Sequence, residues 1–160
     1  MTEDGKPFFW LGDTGWLLFS KLDRDQAVEY LDDRKQKGFN VVQVMVLHTL
    51  HVNNAYGEPA LINNNVALPA LVNGDDYWDH VDFIVDAAAE RGIYVAMVPI
   101  WGGNVKAGHV SVDEAKKYAA FLANRYMYKN NIIWLNGGDI KGTDSIDVWK
   151  AIGETLNETD

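Results

Sequence analysis

Short apolar runs alternate with amphipathic stretches four times along the chain. The first run, Phe8-Phe9-Trp10-Leu11, reads as a strand. Asp23 then stands as a helix N-cap with Gln26 three positions on, a spacing at which each side chain reaches the other's backbone N–H. Ala27, Val28 and Leu31 give that helix a buried face, and Gly38 falls where a left-handed residue closes it. A second strand runs from Val41 to Leu47, apolar throughout except for Gln43.

The next two units repeat the pattern more sharply. Val81, Ile84, Val85 and Ala88 fall at i, i+3, i+4 and i+7, one stripe of a helix. Gly92 ends that helix and Ile93 to Ile100 forms a third strand. Ser111 and Glu114 form another capping-box pair before Ala115, Tyr118, Ala119 and Leu122. Ile132 to Leu135 is the fourth strand, and Trp149, Ile152, Gly153 and Leu156 predict a last helix. Tyr118, Tyr126 and Tyr128 read as packing residues of the third helix or its end, and His80 as a structural helix residue.

Strands apolar on both faces and separated by helices imply an α/β protein with a parallel, helix-covered sheet. A doubly wound open sheet and a section of a (β/α) barrel both meet that description. No G-x-G-x-x-G follows the first strand and no Walker loop occurs, which removes the best support for a nucleotide-binding open sheet. The irregular segment at about 48–76, rich in Asn and Gly, follows a strand end, where barrel enzymes build their sites. At 160 residues the chain suits one domain with a real core. A complete barrel typically needs roughly 250.

Composition narrows the functions. With 14 Lys and Arg against 23 Asp and Glu, the net charge is -9. Nucleic acid and anionic membrane are thereby excluded as partners, since both need clustered cations. The absence of cysteine removes disulfides, thiolate metal sites and a Cys nucleophile. No apolar run approaches the roughly 20 residues of a membrane span. The start, with Thr2, Glu3, Asp4 and Gly5 ahead of Pro7, does not read as a signal peptide.

Function in either architecture gathers past the carboxyl ends of the strands. Those positions hold Asp13, Thr14 and Trp16, then His48, His51, Asn53 and Asn54, then Trp101-Gly102-Gly103-Asn104, then Asn136-Gly137-Gly138-Asp139. Indoles, amides and carboxylates without a basic cluster suit a neutral polyhydroxylated ligand, because indole faces stack on sugar C–H groups while Asn and Asp bond hydroxyls. A carboxyl group beside an indole and away from water can serve as a general acid, and Asp139 after Trp134 is the candidate. A cap or turn is the bland alternative for Asp139, as a Gly12-Asp13 turn is for Asp13. His48 and His51 alternate on a strand end and no H-E-x-x-H occurs, so no metal and no cofactor are expected.

Three segments, Gly5 to Trp16, Lys37 to Gln43 and Asn131 to Asp139, resemble the apiosidase-like glycoside hydrolases in family order. The resemblance implies the first half of a TIM barrel, four βα units ending before strands 5–8, occupying residues 1–160 as a partial catalytic domain. It implies a retaining glycosidase acting on plant cell-wall oligosaccharide or polysaccharide, with cleavage next to apiose in pectin as the family's activity, and a secreted or periplasmic protein. Asp139 takes the place of the family's acid/base carboxylate at the end of strand four. Related barrel hydrolases more often have Asn-Glu there. The nucleophile is expected at the end of strand seven, so the chain alone is expected to be inactive. Asp13, Trp16, His48, Trp101 and Asn136 are the residues expected to hold the sugar, with Asp13 and Asn136 also placed to orient Asp139. An isolated half barrel, with two open edges and inner faces bearing Phe9, Val42, Val44 and Trp134, is expected to self-associate. Two other readings stand beside this one: a non-catalytic carbohydrate-binding or structural barrel fragment, and a metal-dependent barrel hydrolase in which His48, His51 and Asp139 converge.

Overall fold

A computed structural model describes residues 5–72 and 74–158; Thr2, Glu3 and Asp4 of the polar start lie outside them. Four parallel strands form one sheet in sequence order: β1 (Gly12–Thr14), β2 (Val41–Leu47), β3 (Tyr94–Ile100) and β4 (Ile132–Trp134). Helices α1 (Leu18–Lys21) and α2 (Arg24–Gln36) connect the first pair of strands. Helix α3 (Tyr77–Glu90) connects the second pair, and α4 (Gly102–Lys106) with α5 (Val112–Tyr126) the third; α6 (Ile146–Asn157) follows β4. The fold is thus α/β with four strand-plus-helix units. Among the described residues no helix is long and apolar enough to cross a membrane.

The helix starts follow the sequence chemistry. Asp23 caps α2 and Ser111 caps α5 in capping boxes with Gln26 and Glu114. Asp76 caps α3 with Asp79 in the same way. Each box satisfies two N–H groups that a helix start leaves without partners. The apolar stripes then bury Val81, Ile84 and Val85 of α3 and Ala115, Tyr118 and Leu122 of α5 against the sheet.

The first strand lies four residues later than its apolar run predicts. Residues 9–11 are held by a side chain: Asn40 Oδ1 accepts from Leu11 N–H at 2.9 Å, and Asn40 Nδ2 donates to the Phe9 carbonyl at 2.7 Å. The ladder begins only at Gly12, opposite Val41. Phe9 precedes the strand and is 78% exposed, so it lies on neither face of the sheet.

The two sheet faces are also assigned differently from the expectation. Val42, Val44 and Val46 belong to the core under the helices, and the Trp134 ring meets Tyr126 of α5 at 6.2 Å. The opposite face carries Gln43, Met45, Ala96 and Val98, with Gln43 beside Ala96 and Met45 beside Val98 in the ladder. A strand apolar on both faces gives no sign of which face is which; the alternation fixes only that they differ. Tyr128, read as packing, is 84% exposed beyond the end of α5.

The described residues 48–72 and 74–76 lie between β2 and α3 and are fastened at several points. Trp78 Nε1 donates to the Ala60 carbonyl at 3.0 Å, and the Asp76 carboxylate accepts from Val72 N–H at 3.1 Å. Asn54 Oδ1 accepts from the backbone N–H groups of Tyr56 and Glu58, closing a tight turn. His80 is structural, its Nε2 lying 3.0 Å from the Leu22 carbonyl.

Candidate active site

A cavity of about 660 Å³ opens at the carboxyl ends of the strands. Trp16, Gln43, Met45, Val98 and Trp101 line it, together with the continuous stretch from Trp134 to Asp139. Each contributor is placed by the backbone of its neighbour strand. Met45 N–H donates to the Trp16 carbonyl at 3.1 Å, Trp101 N–H to the Leu47 carbonyl at 2.9 Å, and Leu135 N–H to the Met97 carbonyl at 2.8 Å. These bonds continue the parallel ladder past the strand ends, so side chains far apart in sequence are carried to one mouth. The Trp16 and Trp101 rings stand 5.8 Å apart at 57°, two walls of an aromatic corner.

The loop bearing Asp139 is set by glycine. A Cβ on Gly138 would lie 2.3 Å from the Gly102 backbone nitrogen, closer than any side chain tolerates. Gly137 has φ +140°, a conformation that suits glycine alone. The third and fourth strand-end loops therefore touch backbone to backbone. Asp139 follows at once, exposed and at the cavity rim. Its carboxylate makes no hydrogen bond or ion pair among the described residues. It does not cap α6, whose N-cap position is Ser145. The sequence placed this carboxyl away from water; in these residues it faces solvent.

Of the other residues expected to hold a ligand, Trp16, Trp101 and Asn136 line the cavity with Asp139, while Asp13 and His48 do not. Asp13 lies within β1, not beyond it, and turns to the helices: Tyr30 Oη donates to its Oδ2 at 2.8 Å and Thr14 N–H to its Oδ1 at 2.8 Å. Arg34 Nε pairs with the same carboxylate at 3.2 Å. His48 is half-buried with its pKa lowered, first by burial and then by Lys21 and His51; its carbonyl accepts from Asn104 Nδ2 at 3.1 Å. Asn136 Nδ2 donates to the Trp149 carbonyl at 2.7 Å, tying the loop to α6. Neither Asp13 nor Asn136 bonds Asp139 among the described residues. No three His, Asp or Glu side chains among the described residues come together as ligands for a metal ion.

Sequence reasoning missed Gln43, Met45, Val98 and Leu135 as cavity residues. For Gln43 a signal existed, one amide in an otherwise apolar strand.

A family model for the apiosidase-like catalytic domain matches residues 1–160. The chain belongs to the apiosidase-like family. A solved structure described as a glycoside hydrolase is 43% identical over 99% of this chain and 36% of its own, with a TM-score of 0.93. A glycoside hydrolase family 5 protein from Bacteroides vulgatus is 42% identical over 99% of this chain and 34% of its own, TM-score 0.94. The chain thus spans about a third of the length of these two relatives. An endo-1,4-beta-D-mannanase from Thermotoga petrophila, 15% identical with a TM-score of 0.69 over 96% of this chain and 53% of its own, shares the fold. These neighbours are TIM barrels, and the four βα units correspond to part of one. A search of curated proteins finds no match.

Proposed function

We propose that these residues form the first half of the catalytic barrel of a retaining glycosidase, with Asp139 as its acid/base. The observation that carries this is a carboxylate without a partner among the described residues, at the rim of a cavity walled by two indoles. Asp139 protonates the departing glycosidic oxygen while a second carboxylate, supplied beyond Asp160, attacks the anomeric carbon from about 5–5.5 Å away. Asp139 then takes the proton from the water that releases the sugar, closing the cycle with retained configuration. Trp16 and Trp101 stack on the ring's C–H groups.

Family membership supports plant cell-wall polysaccharide as substrate, with apiose-bearing pectin first in line, and a secreted or periplasmic protein that meets such a polymer. The experiment is hydrolysis of pectic oligosaccharides by the full-length protein, with the configuration of the released sugar followed by proton NMR. Release with retention is the expected result. Inverted product removes the double-displacement mechanism, and no release from any glycoside removes the enzyme.

The same reading makes the 160-residue chain inactive alone and prone to pair with itself. Support comes from the sheet: among the described residues β1 pairs with β2 alone and β4 with β3 alone, so each leaves an open edge. Sedimentation of the isolated chain tests the pairing, and a soluble, cooperatively folding monomer would end it.

A further inference from the structure

On the inner sheet face stands an amide side chain that no protein group among the described residues answers. Gln43 stands in mid-β2, level with Thr14 on one side and Ala96 on the other. Its carbonyl is used, accepting from Gly15 N–H at 3.0 Å. Its side-chain amide neither donates nor accepts a hydrogen bond among the described residues. Within β2 only Gln43 and Met45 are half-buried, the other five residues being buried, and both line the cavity.

The amide stands half-buried in the cavity wall beside Met45 and Val98, its two N–H groups and its carbonyl oxygen open to whatever enters the cavity. The cavity has no Lys or Arg in its lining, so its polarity is that of amides and one carboxylate. A group that both donates and accepts, without charge, matches a hydroxyl. We infer that Gln43 is a ligand-recognition residue whose amide binds a hydroxyl of the sugar ring held against Trp16 and Trp101. This rests on the glycosidase reading above.

The test compares the full-length protein with its Gln43→Met variant, similar in volume and able to pack. The probes are apiose, arabinose, xylose, rhamnose and galactose with their monodeoxy analogues, titrated calorimetrically, and the turnover of pectic oligosaccharides. A lost neutral hydrogen bond lowers affinity for the best sugar by roughly 3–10-fold. One deoxy analogue should bind both proteins equally, which identifies the hydroxyl. The variant should melt at or above the wild-type temperature, and the pH profile of turnover should not move, since Gln43 carries no proton. Equal affinity for every sugar overturns the inference, as does an affinity loss that tracks a fall in melting temperature, the mark of a structural role. A wild-type protein that binds sugar without hydrolysing any glycoside removes the proposed enzyme but leaves Gln43 under test by binding. One that binds none of these sugars removes both.

Discussion

Asp13 and Asp139 look alike in sequence. Each follows a glycine, each sits by the end of an edge strand, and each has a tryptophan within five residues. Their surroundings are opposite. Asp13 is held by the Tyr30 hydroxyl and the Arg34 guanidinium of α2 and by the adjacent Thr14 N–H. Asp139 is held by nothing among the described residues and borders a cavity. A carboxylate with two hydrogen-bond donors and an ion pair is engaged and serves the fold. One with none is available to a substrate, and only the loop glycines that present it are fixed.

The largest effect expected from this contrast is on Asp139. In the full-length protein Asp139→Asn should lower kcat on natural glycans by about 10²–10⁴, the usual worth of general acid–base help, with sugar affinity retained. Near-normal turnover would break the comparison at its root.

Gly138→Ala comes next. The new Cβ would sit 2.3 Å from the Gly102 nitrogen, so the loop must move and take Asp139 with it. Misplacing a catalytic group by about 1 Å can cost about 10²-fold in rate. The expected result is that scale of loss in kcat with Asp139 itself intact. Unchanged kinetics would mean that the contact between the two loops does not position the carboxylate.

Asp13→Asn should do the reverse, lowering stability and leaving kinetics alone. It keeps the shape of the side chain but strips the charge from a partly buried pair with Arg34. Hydrogen bonds and pairs of this kind are worth about 1.5–3 kcal/mol. Denaturant unfolding and turnover measured on the same preparation check it. A loss of activity without a loss of stability would return Asp13 to the active site.

Why the sequence separated these two so poorly is a matter of direction. Helix and strand periods gave the four units, and the capping pairs Asp23/Gln26 and Ser111/Glu114 marked two helix starts within a residue. Position at a strand end was enough to place Trp16, Trp101, Asn136 and Asp139 around one cavity. A strand buried on both sides, however, carries no mark of inside and outside, so Val42, Val44 and Trp134 were given to the wrong face. Asp13 was misplaced for a related reason. The run Phe8–Leu11 resembles a strand, but it is tied down at Asn40 ahead of the ladder, and the true strand reaches Asp13 itself.

The smallest effect separates the parts of the Asp13 cluster. Tyr30→Phe removes one donor while Thr14 and Arg34 remain, so stability near neutral pH should fall by about 0.5–1.5 kcal/mol. At alkaline pH the variant should behave differently. Burial, then the hydrogen bond to Asp13, holds the Tyr30 hydroxyl above its ordinary value of 10.0. Above pH 10 an unfolded chain therefore loses that proton while the folded one keeps it. The folded state binds more protons there, so its stability is fully present below pH 10 and falls as pH rises. Buried Tyr77, Tyr118 and Tyr126 are raised too and act in the same direction. Wild type should thus lose stability steeply above pH 10, and Tyr30→Phe should lose it less steeply, having one such group fewer. Urea midpoints measured from pH 7 to 11 give both quantities. Parallel curves with no offset would show that Tyr30 contributes nothing to holding Asp13, and the Thr14 N–H with the Arg34 guanidinium would then account for the carboxylate's orientation.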